Sequence, residues 1–285
     1  MAISTVGVIG SGIMGSGIAE VAASAGCTVI VRSRSQATAD GMLAGLEKSL
    51  AKQVERGKKT QDEADALRAR VSATTSLDDL SNCDLIIESV VEDLATKKAL
   101  FNELDRVVGQ DAILATNTST LPVVEMAMET SRPDKVCGVH FFNPATAMSL
   151  VEIVAPITAS EETLAEVTAF ATACGKDPVR VKDQAGFIVN ALLFPYLNNA
   201  VRLLEQGVAT KDGIDVAMKG GCGFPMGPFA LLDLVGLDTS LAILHALYLE
   251  FADPNYAPVP LLKRMVAAGQ LGRKSGVGFY DYRKK

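Results

Sequence analysis

Short apolar runs rich in β-branched residues alternate with longer stretches of helical periodicity through the first two thirds of the chain. The pattern begins with a strand at Thr5–Ile9, a helix at Met14–Ala25 and a second strand at Thr28–Val31. Strands in which nearly every residue is apolar are typical of a mostly parallel sheet covered by helices on both faces. Further strands are predicted at Leu85–Ile87, Ile113–Thr116, Val136–Phe141, Leu150–Val154 and Val179–Val181.

Helical patterns alone fill the rest of the chain. Strand-like runs stop near residue 185, so we predict an α/β domain over residues 1–185 and a smaller all-α domain over residues 186–285. Pro195 is expected to kink the first helix of the second domain. The predicted helices of this domain are Phe187–Glu205, Thr210–Met218, Phe229–Phe251 and Val259–Ala268.

A polar helical insertion is predicted within the first domain, over residues 42–70. Thr60 and Glu63 have the spacing of a capping box, which would begin the second half of the insertion. Gly57 is expected to form the turn between the two halves.

Composition and charge narrow the possible partners. A charged fraction of 21% and a hydrophobic fraction of 48% indicate a globular protein, and 285 residues suit two unequal domains. The net charge of −6 disfavours nucleic acid, because a duplex would repel such a surface. The most apolar long stretch, Ala230–Phe251, is interrupted by Asp233, Asp238 and Glu250, so a membrane span is not expected.

The five cysteines are scattered, form no CxxC pair and are accompanied by only two histidines. This distribution argues against a disulfide scaffold and against a metal site, and it favours a reducing compartment. The N-terminal run has no basic segment before its apolar part, so a signal peptide is not predicted. We therefore expect a cytoplasmic protein.

A glycine-rich turn joins the first strand to the first helix. Residues 10–15 read Gly-Ser-Gly-Ile-Met-Gly, the GxGxxG pattern of a Rossmann-type dinucleotide site. Gly10 permits the tight turn, Gly12 lets the backbone approach a pyrophosphate, and Gly15 lets the helix pack close to the strand. A turn without a ligand is the plainer alternative, but the surrounding strand–helix–strand spacing favours dinucleotide binding.

The second strand ends in Val31-Arg32-Ser33-Arg34, where a carboxylate for the adenosine ribose is expected. A carboxylate there would repel the 2′-phosphate of NADP, whereas a serine between two arginines would accept it. Alternatively, both arginines are solvated and Ser33 binds the ribose directly. These residues leave both NAD and NADP open.

His140 ends one predicted strand, and Glu152 lies in the next. A turn signal at Asn143-Pro144 separates the two strands, so they can pair as an antiparallel hairpin with residues 140 and 152 opposite each other. A carboxylate in that position would orient the imidazole. Such a pair suits removal of a proton from an alcohol while a hydride leaves for a nicotinamide.

Two further segments carry polar groups that could reach a substrate. The run Thr-Asn-Thr-Ser-Thr at 116–120 follows a strand, although capping of a helix by Ser119 or Thr120 is the plainer explanation. Asn190 begins the first helix beyond the domain boundary, where capping or packing explains it nearly as well. His245 lies on an apolar helical stretch and is interpreted as structural.

Several segments together resemble the short-chain L-3-hydroxyacyl-CoA dehydrogenase family, which is also met as 3-hydroxybutyryl-CoA dehydrogenase. They cover nearly the whole chain: residues 10–15, TNTST at 116–120, GVHFFNPA at 138–145, VEIV at 151–154, GFIVN at 186–190, PMGPFALLD at 225–233 and GRKSGVGFYDY at 272–282. This chain departs from the family at Ser33, where aspartate is common, and at Thr120, where serine is more frequent.

The resemblance implies reversible oxidation of a (3S)-3-hydroxyacyl-CoA, with 3-hydroxybutyryl-CoA and acetoacetyl-CoA as the expected pair. It implies that His140 is the base, that Glu152 steadies its imidazolium, and that Ser119 and Asn190 bind the substrate. The family favours NAD, while Ser33 leaves NADP open. The expected cofactor contacts are Gly10, Gly12, Ile13, Met14, Gly15, Ser33, Glu92, Lys97, Asn117, Ser119, Asn143 and Lys274.

Four basic residues of the insertion are spaced by four, four and three positions: Lys48, Lys52, Arg56 and Lys59. A continuous helix would place them on one face that suits the phosphates of coenzyme A. Interleaved Glu47 and Glu55 fit a solvated face with ion pairs equally well. The resemblance implies carrier contacts from this insertion, for which Ser49, Lys52 and Arg56 are the candidates.

Two other functions fit parts of the sequence. A 3-hydroxyacid dehydrogenase acting on free acids would share the two-domain plan, but such enzymes usually rely on a catalytic lysine. A catalytically silent dinucleotide-binding protein would keep the fold without turnover. The apolar second domain predicts burial against a partner, and we expect that partner to be a second copy in a homodimer.

Overall fold

The computed structural model describes residues 3–283, and the chain divides into two compact units, Met1–Asp183 and Gln184–Lys285. The first unit contains one eight-stranded sheet in the order β3-β2-β1-β4-β5-β6-β7-β8. All neighbouring strands are parallel except β6 and β7, which confirms the mostly parallel sheet. The strands are β1 Thr5–Ile9, β2 Thr28–Arg32, β3 Val71–Thr74, β4 Leu85–Glu88, β5 Ile113–Thr116, β6 Val136–Phe141, β7 Leu150–Ala155 and β8 Asp177–Lys182.

Helices cover the sheet because its strands are apolar on both faces. Every residue of β4, β5 and β6 is buried. Ile18 of α1, Phe101 of α4 and Val167 of α6 have no exposed surface. The helices of this unit are α1 Ile13–Ser24, α2 Gln36–Glu55, α3 Gln61–Ala69, α4 Leu94–Val107, α5 Val123–Ala127 and α6 Glu161–Ala173.

Two strands differ from the sequence prediction by more than a single terminal residue. β3 is missing from it, because only Val71 of this four-residue strand is buried and the run carries little apolar signal. β8 begins two residues before the predicted Val179 and includes Pro178. Proline is tolerated there because β8 is an edge strand that pairs with β7 alone.

The insertion begins earlier than predicted. α2 starts at Gln36 instead of residue 42, because Ser35 and Thr38 form a capping box at its N-terminus. The predicted capping box of Thr60 and Glu63 is confirmed at the start of α3, and Gly57 adopts φ +66° in the turn between the helices.

The four basic residues of the insertion do not share one continuous helix, which excludes the hypothesis of a single basic face. α2 ends at Glu55 and Gly57 turns the chain, so Arg56 caps the helix and Lys59 lies beyond it. Lys48, Lys52 and Arg56 are exposed. The alternative of ion pairs with the interleaved glutamates is not observed for Glu47, which pairs with Arg68 at 2.8 Å.

The second unit is helical, as predicted, but one predicted helix is divided. Phe229–Phe251 consists of α9 and α10, bent by 96° at Gly236, which adopts φ +102°. α7 continues through Pro195. The helices are α7 Val189–Glu205, α8 Lys211–Cys222, α9 Pro228–Val235, α10 Leu237–Phe251 and α11 Pro260–Ala267.

A buried carboxylate stabilises the break between α9 and α10. Asp233 is 1% exposed and accepts hydrogen bonds from the backbone N–H groups of Phe279 (2.9 Å) and Tyr280 (2.8 Å).

No single helix among residues 3–283 is both long enough and apolar enough to cross a membrane. In these residues, only α9 and α10 taken together have that length and apolarity, and they are bent against each other. Within the same residues, no group of three or more His, Cys, Asp or Glu side chains could hold a metal ion.

Candidate active site

The carboxyl ends of four parallel strands meet along one edge of the sheet. Ile9 of β1 is in register with Arg32 of β2 and with Glu88 of β4, and Glu88 is in register with Thr116 of β5. Consecutive crossovers lead to opposite sides of β1, which makes the gap between β1 and β4 the switch point where ligands bind in such sheets. A cavity of about 1090 Å³ in this unit is lined by residues 9–13 and 89–91, which follow these two strands.

The three glycines of the turn differ in their surroundings as a dinucleotide site requires. A Cβ at Gly10 would collide with the backbone oxygen of Ser89, and one at Gly15 would collide with the backbone oxygen of Gly10. Around the Cβ position of Gly12 there is nothing within 4 Å. Gly10 and Gly15 therefore allow tight packing, while Gly12 faces open space that a pyrophosphate can fill.

The N-terminus of α1 carries no capping side chain. Gly12 is its N-cap residue and offers only backbone. The other helices of nine residues or more in the described part of this unit are capped by Ser35, Thr60, Asp93 and Ser160. The N–H groups of the first turn of α1 are thus available to an anionic ligand, and the helix dipole favours negative charge there.

His140 and Glu152 are directly paired across β6 and β7, which confirms the predicted hairpin register. Their side chains are 5% and 1% exposed, and His140 Nδ1 lies 2.8 Å from Glu152 Oε2. A carboxylate at Nδ1 favours the tautomer with its proton on Nδ1, so Nε2 is the atom that can accept a proton. Ser119 Oγ lies 3.1 Å from this Nε2.

Ser119 is held by the loop that follows β5. Its backbone N–H donates to Glu92 Oε1 (2.8 Å), and the hydroxyl of Thr118 donates to the same oxygen (2.5 Å). The alternative explanation, in which Ser119 or Thr120 caps a helix, is wrong, because Asp183 accepts from the first N–H groups of α5 at 2.9 and 2.7 Å. Burial raises the pKa of Asp183, although these two hydrogen bonds act in the opposite direction.

A buried ion pair between Lys97 and Glu88 stabilises the loop that contains Ser119. Glu88 is 0% exposed and Lys97 is 1% exposed, and Lys97 Nζ lies 2.6 Å from Glu88 Oε1 and 3.4 Å from Glu92 Oε2. The hydroxyl of Thr116 donates to the other oxygen of Glu88 at 2.7 Å. Lys97 therefore connects the end of β4 to the carboxylate that holds Ser119. Sequence reasoning missed Glu88, whose signal was an acidic residue at the end of an apolar strand.

Asn117 connects the cavity wall to β6, the strand that carries His140. Its Oδ1 accepts the backbone N–H of Phe141 at 2.8 Å, directly after His140. Its Nδ2 lies 3.5 Å from the hydroxyl of Ser89, which lines the cavity. The Asn117 side chain therefore bridges two strand ends beside the cavity.

Asn143 and Ile13 also line the cavity. Ile13 is 79% exposed and offers an apolar surface to a ligand. The loop of Asn143 is held by the buried Lys176, whose ammonium donates to the carbonyls of Ala145 (2.6 Å) and Met148 (2.8 Å). Burial lowers the pKa of Lys176. No sequence signal pointed to this lysine, because it lies 31 residues from Ala145.

The remaining predicted residues are spread more widely, and their roles stay predictions. Met14 is half-buried against the core, and Ser33 is buried at the end of β2. Ser49 lines the cavity and donates to Glu20 Oε2 at 3.1 Å. In the second unit, the buried Asn190 is the second residue of α7. Lys274 forms an ion pair with Asp238.

Two family models match the chain. The 3-hydroxyacyl-CoA dehydrogenase NAD binding domain matches residues 5–184, and the 3-hydroxyacyl-CoA dehydrogenase C-terminal domain matches residues 186–282. A 3-hydroxybutyryl-CoA dehydrogenase of Clostridioides difficile is 49% identical over 277 residues, which cover 97% of this chain and 99% of the relative.

Solved structures are similar over the same length. FadB2 of M. tuberculosis has a TM-score of 0.97 at 49% identity and covers 99% of this chain and 100% of its own. The (S)-3-hydroxybutyryl-CoA dehydrogenase PaaH1 of Ralstonia eutropha has a TM-score of 0.97 at 42% identity, with coverage of 99% and 100%. On these matches, and with a glycine-rich turn that lines a cavity and a buried pair of His140 and Glu152, the chain belongs to the 3-hydroxyacyl-CoA dehydrogenase family.

Proposed function

We propose that the protein interconverts (3S)-3-hydroxybutyryl-CoA and acetoacetyl-CoA with a nicotinamide dinucleotide as the hydride carrier. The observation that carries the proposal is the buried imidazole of His140, held between Glu152 and Ser119 at the end of the sheet where the glycine-rich turn lies. Relatives that match 97% and 99% of the chain are named 3-hydroxybutyryl-CoA dehydrogenase, which supports the proposal.

In the oxidation direction, His140 Nε2 takes the proton of the substrate's C3 hydroxyl. The glycine-rich turn at residues 10–15 would hold an oxidised nicotinamide dinucleotide, which would supply the acceptor for the hydride of C3 as the carbonyl forms there. Glu152 stabilises the imidazolium that results, because its carboxylate is 2.8 Å from Nδ1 and excluded from water. In the reduction direction, the same imidazolium returns the proton to the oxygen.

Ser119 positions the reacting oxygen in this proposal. Its hydroxyl contacts His140 Nε2, so a substrate oxygen near that nitrogen can share a hydrogen bond with both groups. Glu92 holds the backbone of Ser119 and thereby limits the freedom of the hydroxyl. Asn190 is proposed as a second contact to the substrate.

The coenzyme A moiety is assigned to the exposed surface of α2. Ser49 lines the cavity, and Lys52 and Arg56 follow it at the exposed end of this helix. The cations of Lys52 and Arg56 near the end of the helix suit phosphate groups. Lys59, the fourth basic residue of the insertion, lies beyond the helix.

Parallel assays of acetoacetyl-CoA and free acetoacetate with NADH and NADPH test the proposed function. We expect acetoacetyl-CoA to be reduced with a far larger kcat/KM, because binding energy from the carrier contributes to the transition state. Equal rates on the free acid would instead identify a 3-hydroxyacid dehydrogenase. Tight cofactor binding without turnover of either compound would identify a catalytically silent dinucleotide-binding protein.

We further propose that the helical unit forms a homodimer. Large apolar side chains are exposed on this unit, among them Leu192 (71%) of α7, Val208 (66%) between α7 and α8, Val216 (63%) of α8 and Leu249 (82%) of α10. Burial of such side chains against a second copy would remove them from water. Light scattering on the purified protein is expected to give the mass of two chains, and a single-chain mass at working concentration would exclude the dimer.

A further inference from the structure

Ser33 follows β2 directly and is enclosed by protein. Its backbone N–H donates to the carbonyl of Thr74 at 2.8 Å, and its side chain is 1% exposed. Its hydroxyl oxygen has no hydrogen-bond partner among the described residues. A buried hydroxyl without a partner is costly. Position 33 carries no negative charge at the place where a Rossmann site meets the adenosine ribose.

Two arginines flank this serine, and both line the cavity that Gly12 also lines. Arg34 is exposed, and Arg32 Nε donates to the carbonyl of Thr75 at 3.3 Å. The arginine ion pairs among residues 3–283 are those of Arg68, Arg132, Arg180 and Arg283. Neither Arg32 nor Arg34 is therefore neutralised by a carboxylate there.

Few carboxylates line the cavity that Arg32 and Arg34 also line. The carboxylates in the cavity lining are Glu20 and Glu103. Glu20 already accepts hydrogen bonds from Gln53 (2.7 Å) and Ser49 (3.1 Å) on α2. The first turn of α2, which begins at Gln36 three residues after Ser33, contains no acidic residue. Its dipole therefore adds positive potential to that of the two guanidinium groups.

We propose that Arg32 and Arg34 bind the 2′-phosphate of NADP(H) and that the uncharged Ser33 between them does not repel it, so that this chain prefers NADP(H) to NAD(H). A phosphate dianion accepts charge-assisted hydrogen bonds from guanidinium groups, whereas the neutral ribose of NAD leaves both arginines without a counter-charge. The inference rests on the dinucleotide site of the proposed function, but it does not depend on the acyl-CoA substrate.

Equilibrium titration of the full-length protein with NADPH and NADH tests this preference without turnover. We expect NADPH to bind about tenfold or more tightly, the effect of one charge-assisted hydrogen bond. In displacement of bound NADPH, 2′,5′-ADP, which carries the 2′-phosphate, is expected to compete at lower concentration than 5′-AMP, which lacks it. Added salt should reduce the ratio of NADPH affinity to NADH affinity, because it screens the charges of the two arginines.

Two variants locate the effect. Arg34→Ala is expected to weaken NADPH binding by about tenfold and to leave NADH binding within about twofold. Ser33→Asp is expected to reverse the preference, because its carboxylate repels the phosphate and binds the ribose hydroxyls. Arg106→Ala removes an exposed arginine of α4 that does not line the cavity, and it should change neither affinity.

The proposal is overturned if NADH binds as tightly as NADPH, or if Arg34→Ala weakens both cofactors equally. Because Ser33 is buried, Ser33→Asp can fail to fold; Arg34→Ala then decides alone, since Arg34 is exposed. NADPH preference without any turnover of acetoacetyl-CoA would refute the proposed function and leave this inference standing.

Discussion

Replacing His140 with glutamine is expected to lower kcat by about 10²- to 10⁴-fold, the usual contribution of a positioned general base. Glutamine can fill the space between Glu152 and Ser119, but it cannot accept the proton of the substrate hydroxyl. Cofactor affinity is expected to stay unchanged, because the lost group acts on the proton. Steady-state kinetics with acetoacetyl-CoA and direct cofactor titration measure the two quantities separately.

The chain offers a matched control for this substitution. His245 is the other histidine and is exposed on α10, so His245→Gln should turn over like the unmodified protein. Glu152→Gln is expected to lower kcat as well, since the imidazolium loses its counter-charge. If the pair acts as a unit, the double variant loses no more than His140→Gln alone. Near-normal turnover of His140→Gln would remove the proposed mechanism.

Replacing Lys97 with methionine is expected to lower the free energy of unfolding by about 3–5 kcal/mol, the usual cost of leaving a buried charge unpaired. Glu88 has no exposed surface, and without Lys97 its carboxylate retains only neutral donors, among them the hydroxyl of Thr116. Urea unfolding followed by circular dichroism measures the change. Turnover is expected to fall too, because Lys97 also contacts Glu92, which holds Ser119.

Lys98→Met is the control, on the same helix and one residue away. Its ammonium pairs with Glu125 and Glu129 at the surface, where its side chain is 33% exposed. Loss of an exposed pair should leave the free energy of unfolding almost unchanged, because water and salt screen such a pair. Adding Glu88→Gln to Lys97→Met should recover part of the stability, because the unpaired charge is removed. Equal stability of the two lysine variants would contradict the role given to the buried pair.

Much of the site could be predicted from the sequence because its contacts are local. His140 and Glu152 belong to one hairpin, so the apolar pattern of its two strands and the short connection between them determine which residues are opposite. The glycine-rich turn is likewise recognised from consecutive residues, and the constraint on Gly15 comes from the backbone of Gly10 in the same turn, although the constraint on Gly10 comes from the distant Ser89.

The prediction failed where a local pattern competes with packing. The apolar run Phe229–Phe251 has the periodicity of one helix, yet Gly236 bends it by 96° while Asp233 binds the backbone of a distant segment. The spacing of the basic residues in the insertion likewise assumed a helix that Gly57 ends. Gly236 adopts a positive φ for which periodicity carries no signal, whereas the turn predicted at Gly57 already separates Lys59 from the helix.

The sequence by itself determined the alternation of strands and helices, the dinucleotide turn and the pairing of His140 with Glu152, because each follows from residues close together along the chain. Only the tertiary structure decided that Lys97 is buried against Glu88, that Lys176 holds the loop of Asn143, and that Asp183 caps α5. These contacts join residues on different elements. Their formation depends on how strands and helices pack, which no spacing along the chain records.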